Sequence, residues 1–141
     1  MSFQVKVAAG AATVMGAALV FILFFRTSDE AAVEAFLRAG AESAQKADAD
    51  AVVAMLSKSF RCPKGGYAWA VERVRQALRQ SPGQIEVLSC VVQVDGETAQ
   101  AMLKLRGHLG ANELWRISFD FGLRKEDGAW KLSSVDERWG S

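Results

Sequence analysis

From Gln84 onward the hydrophobic pattern of this chain changes from helical spacing to strict alternation, so the protein must be built as helices first and sheet second. The sharpest stretch is Trp115-Arg116-Ile117-Ser118-Phe119-Asp120-Phe121, where every odd position is apolar and every even one polar or charged, the signature of a half-buried strand. Before it, Ala99, Ala101, Leu103 and Leu105 alternate with Gln100, Met102, Lys104 and Arg106. Ile85 to Val94 and Trp130 to Val135 supply two more strands, and Asp95-Gly96, Gly110-Ala111-Asn112 and Asp127-Gly128 mark the turns between them. Four strands joined by three short turns predict an antiparallel meander. One face is apolar and needs a cover of helices.

The first half provides that cover. Val33, Phe36, Leu37, Ala41 and Ala44 form one helical stripe, with Glu34/Arg38 and Glu42/Lys46 as pairs outside it, and Thr27 and Glu30 have capping-box spacing. A first helix is expected over about Ser28 to Lys46. Asp48 can cap a second, shorter helix that turns Val52, Met55 and Leu56 inward and leads to Phe60. After a loop at Arg61-Cys62-Pro63-Lys64-Gly65-Gly66, the spacing of Tyr67, Ala70, Val71, Val74, Ala77 and Leu78 predicts a third helix to about Gln80, ended by Ser81-Pro82-Gly83.

Ahead of this domain, Val7 to Phe25 reads VAAGAATVMGAALVFILFF without a charge. Nineteen residues at ~1.5 Å rise give about 28 Å, close to the ~30 Å hydrocarbon core of a bilayer. The run ends in Phe24-Phe25-Arg26-Thr27 rather than in small residues suited to signal cleavage. Residues 1–26 are therefore expected to be an uncleaved transmembrane anchor, and residues 27–141 one α+β domain of three helices packed on a curved four-stranded sheet. Lys6 before the run, against Arg26 followed by Asp29 and Glu30 after it, points to a cytoplasmic N-terminus in an inner membrane, with the domain on the periplasmic side. Ala8, Ala12 and Gly16 recur at four-residue spacing, a helix face small enough for a partner helix to approach. An alanine-rich helix also yields that spacing by chance.

Charge and cysteine content narrow the function. The formal net charge is +1, which gives no global attraction to nucleic acid. Cys62 and Cys90 are the only cysteines and are not in a CxxC arrangement, so neither a zinc site nor a dithiol centre is expected. A disulfide between them and two free buried thiols both remain open at this level. His108 is the one histidine and cannot hold a metal alone. Neither a phosphate-binding glycine loop nor a GxSxG elbow is present, and no cofactor is expected.

Two passages carry a family resemblance. Lys46-Ala47-Asp48-Ala49-Asp50-Ala51-Val52-Val53-Ala54-Met55-Leu56, and Asp127-Gly128-Ala129-Trp130-Lys131-Leu132-Ser133-Ser134-Val135, resemble the second-helix start and the last hairpin of the nuclear transport factor 2-like superfamily, also called SnoaL-like or cone-shaped. The resemblance spans roughly Ser28 to Trp139 and implies a cone of three helices closed by a strongly curved sheet. Enzymes of that superfamily place Asp, Tyr, His or Arg inside the cone. The inward positions expected here, Ala99, Ala101, Leu103, Leu105, Trp115, Ile117, Phe119, Phe121 and Leu123, include no ionisable residue. A catalytic group is therefore not expected.

What remains is binding. The leading expectation is a non-enzymatic accessory or scaffold subunit, tethered to the bilayer and held in a membrane complex or homo-oligomer. Its contacts would come from the Ala8, Ala12 and Gly16 seam and from Trp69 and Arg73 on the outer face of the third helix. The polar sheet face with Lys104, Arg106, Arg116, Asp120 and Arg124 is a further candidate contact surface. The alternative is an apolar-ligand or lipid module whose cleft is lined by Tyr67, Trp115, Phe119 and Trp130; a third reading, an enzyme of the superfamily that the chain resembles, would need two ionisable side chains inside the cone.

Overall fold

The computed structural model describes residues 14–80 and 84–140, with side chains from Asp29 onward. Helix α1 (Val14–Gln45) is followed by the short α2 (Ala49–Val53), a two-residue hairpin of β1 (Arg61–Cys62) and β2 (Gly65–Gly66), and α3 (Tyr67–Arg79). The chain then runs through β3 (Gln84–Asp95), β4 (Thr98–Leu109), β5 (Asn112–Glu126) and β6 (Ala129–Trp139). These four strands form one antiparallel sheet in sequence order, the meander that the alternation demands. At the last turn Asp127 and Gly128 take φ of 50° and 80°, the paired positive values that suit a two-residue hairpin to the twist of its strands.

Register settles which side of the sheet is apolar. Ala99 faces Leu123, Ala101 faces Phe121, Leu103 faces Phe119 and Leu105 faces Ile117. Six of these eight are buried and the two phenylalanines half-buried, so the concave face is the expected one. Arg116 and Asp120 lie on the other face, opposite Arg106 and Met102. There Arg116 pairs with Glu113 at 2.8 Å, Arg138 with Asp120 at 2.8 Å, and Arg106 with Glu86.

Two expectations are corrected, and a third falls largely outside the described residues. Helix α1 starts no later than Val14 and runs unbroken through Thr27, so the Thr27/Glu30 spacing does not begin a helix; favourable residues on both sides let the turn propagate. Among the described residues no helix is long and apolar enough to cross a membrane. Of the spanning helix expected over Val7–Phe25, 7–13, with Ala8 and Ala12, lie outside the described residues, and of Gly16 only the helical backbone is described. The Arg61–Gly66 loop is a small hairpin, with Arg61 paired to Gly66 and Cys62 to Gly65.

α2 is capped as expected, Asp48 Oδ1 accepting from the Ala51 N–H at 3.1 Å. The chain after it then adds to the sheet. Ser57 N donates to the Leu132 carbonyl and Leu132 N to the Met55 carbonyl, both at 2.8 Å, so residues 55–57 bind along the free edge of β6 as a short parallel bridge. That pairing satisfies an otherwise open edge and drives Leu56 and Phe60 into the core, 7% and 3% exposed.

Candidate functional site

α1 packs along β3, whereas α3 packs on α2 and β2 and stands off the four-stranded sheet. The core consequently divides. One buried cluster joins Val33, Leu37, Leu56, Phe60, Ala70, Leu123 and Trp130 at the end of the cone where α1 enters. A second, of Leu103, Leu105 and Ile117, lies along the other half of the sheet. Between them and α3 is a cavity of about 420 Å³, within the range of small-molecule sites.

Its walls follow from the local sequence. Leu37, Ala41 and Ala44 present the α1 stripe; the alanines leave the room that larger side chains would fill. Trp69, Val74 and Ala77 come from α3, and Leu105, Ile117, Phe119 and Phe121 from the sheet. Phe119 and Phe121 are stacked, with centroids 5.2 Å apart. At the open end Trp115 and Trp139 meet edge to face at 6.2 Å, and Trp139 is 58% exposed. Gly107, directly opposite Trp115 in the register, makes that rim: a Cβ there would overlap the indole.

One charged pair breaks the apolar lining. Arg73 Nη2 donates to Glu137 Oε1 at 3.1 Å, with side chains 32% and 14% exposed, and both residues border the cavity. This corrects the expectation that no ionisable group faces inward. An extra residue in β6 causes it: Gly122 pairs with Ser134 but Leu123 pairs with Leu132, so the bulge at Ser133 shifts the inward set from Trp130 and Leu132 to Val135, Glu137 and Trp139. Read as strictly alternating from Trp130, Glu137 would have faced out. The off-phase Val135 after Leu132 was the available signal.

Trp69 and Arg73 are likewise corrected. Expected on the outer face, they flank the inward stripe of α3, half-buried, and line the cavity; Trp69 packs over Gly65 of the small hairpin. Gln76 is exposed. Of the four residues expected in a ligand cleft, Trp115 and Phe119 line it. Tyr67 and Trp130 pack in the core cluster outside it, each with a lysine ammonium over its ring, Lys58 at 5.1 Å and Lys125 at 5.8 Å.

Elsewhere, Cys62 and Cys90 are free and half-buried; burial, and then the Glu34 carboxylate, push the Cys90 thiol above its ordinary range. His108 Nδ1 hydrogen-bonds with the Gly110 carbonyl at 3.1 Å in the β4–β5 turn. Among the described residues no group of three His, Cys, Asp or Glu side chains is placed to hold a metal.

No protein-family model matches the chain, and no curated protein sequence matches it at a significant level. Solved structures do. An NTF2-like protein of unknown function from Pseudomonas putida KT2440 aligns with a TM-score of 0.67 at 15% identity, over 82% of this chain and 87% of that one. An NTF2-like protein with a cystatin-like fold from Novosphingobium aromaticivorans aligns with a TM-score of 0.66 at 14% identity, covering 94% of each. A protein of unknown function with a cystatin-like fold from Nostoc punctiforme gives 0.66 at 15%, over 79% and 91%. The domain thus has the NTF2-like fold that the sequence resembles; at this identity the likeness carries the fold alone.

Proposed function

We propose that the domain binds an apolar small molecule or lipid in the cavity between α3 and the sheet. The observation that carries this reading is an apolar, aromatic-lined space of about 420 Å³ in a protein small enough that leaving it empty is costly. Core packing normally leaves few voids larger than a water molecule, and each cavity deprives its lining atoms of contacts. A bound molecule restores them. Native mass spectrometry of the gently purified protein tests this: the expected result is a mass increment that disappears on organic extraction. Protein that stays at the apo mass with every apolar candidate added would overturn it.

A second reading concerns location. The apolar run ending at Phe25 continues into the domain on the unbroken helix α1, which favours a tether of single-pass type in a cytoplasmic membrane, the domain on its outer side and a protein partner in a membrane complex. On this reading the chain is a non-enzymatic accessory subunit. About twenty residues of helix at ~1.5 Å each separate Phe25 from Gln45, so the cavity rim near Ala44 would open roughly 30 Å beyond the end of the run. Fractionation of cells expressing the full chain tests the tether: it should stay with membranes through alkaline carbonate washing, and recovery in the wash would refute it.

A further inference from the structure

The cavity holds a cation and an anion that already neutralise each other, and this bears on what it admits. Resting on the apolar-ligand reading, we infer that the occupant is an uncharged amphiphile, an apolar body with one hydroxyl or carbonyl head, and that Arg73 and Glu137 act together to exclude charged amphiphiles. Among the described residues that line it, these two are the only ones with a formal charge. They make a single contact, Arg73 Nη2 to Glu137 Oε1 at 3.1 Å. The guanidinium keeps further N–H donors and the carboxylate keeps lone pairs, so a hydroxyl can donate to Glu137 while accepting from Arg73, and a carbonyl can accept from Arg73. Neither disturbs the pair.

A charged head has no such place. A carboxylate drawn to Arg73 comes within a few ångströms of the Glu137 carboxylate, 14% exposed and without another cation among its hydrogen-bond partners. An ammonium drawn to Glu137 meets Arg73 in the same way. In an apolar surrounding such like-charge contacts are poorly screened, and the newcomer also loses its own hydration. Discrimination therefore comes from repulsion as much as from fit.

Three ligands with one chain and different heads test this at neutral pH, read by the fluorescence of the lining tryptophans: decan-1-ol, decanoate and decylammonium. The full chain should bind the alcohol about tenfold more tightly than either ion. Glu137→Gln leaves Arg73 uncompensated and should make decanoate the preferred ligand; Arg73→Gln should do the same for decylammonium. Circular dichroism checks that each variant folds, and if one does not, the other and the unmodified ranking decide. Equal binding of all three, or wild-type preference for an ion, overturns the inference while leaving the cavity reading standing. Failure of all three to bind brings both down.

Discussion

Gly107 sits under the indole of Trp115, where any Cβ would overlap the ring, so the open rim of the cavity depends on a missing side chain. Gly107→Ala should displace Trp115 and cost about 1–3 kcal/mol through overpacking, seen as a lower urea midpoint together with a red-shifted tryptophan emission. Unchanged emission would mean that the indole does not lie there. Cys90 offers a second test. Because burial raises its thiol pKa, less thiolate is present in the folded protein at pH 8 than in the unfolded chain, and the thiolate is the nucleophile. Iodoacetamide should therefore label Cys90 more slowly in buffer than in urea, with a folded-state rate that climbs only at more alkaline pH. The same sign makes its contribution to stability complete below the unfolded thiol pKa and lost as pH rises through the folded one.

The elements were legible to different depths. β4 and β5 could be read residue by residue because their alternation is unbroken across the buried half, and their facing is as expected. β6 could not, since a single inserted residue at Ser133 reverses the meaning of every position after it. Alternation alone therefore places Glu137 on the wrong face. On α3 the apolar stripe predicted the helix but not how wide its buried face is: Trp69 and Arg73 lie on the margin, Trp69 against Gly65 of the adjoining hairpin and Arg73 against the distant Glu137. Deleting Ser133 should remove the bulge and leave Val135, Glu137 and Trp139 in plain alternation with Leu132, still facing inward. The expected outcome is a folded protein in which Glu137 still meets Arg73, so that Glu137→Gln in that background again makes decanoate the preferred ligand; loss of that switch would contradict the register. The α2 cap is simpler: Asp48→Ala should cost about 1 kcal/mol in denaturant unfolding, since it removes the acceptor for Ala51 N.

At the scale of the molecule, the division of labour is between an end that is packed and an end that is open. Val33 and Leu123 are 0% and 2% exposed and close the cone beside the entry of α1, so stability should reside there. Leu123→Ala is expected to cost about 2–5 kcal/mol. Binding should reside at the other end, where α3 stands away from the sheet. Ala44 on α1 lines that space, and filling it with Ala44→Phe should remove ligand binding without the loss of stability seen at the packed end. Isothermal titration of the full chain with decan-1-ol, at several temperatures and alongside Ala44→Phe, tests the claim most directly. The account predicts one saturable site per chain with a negative heat-capacity change, abolished in the variant. No saturable heat in the unmodified protein, or an isotherm that Ala44→Phe leaves unchanged, would contradict it.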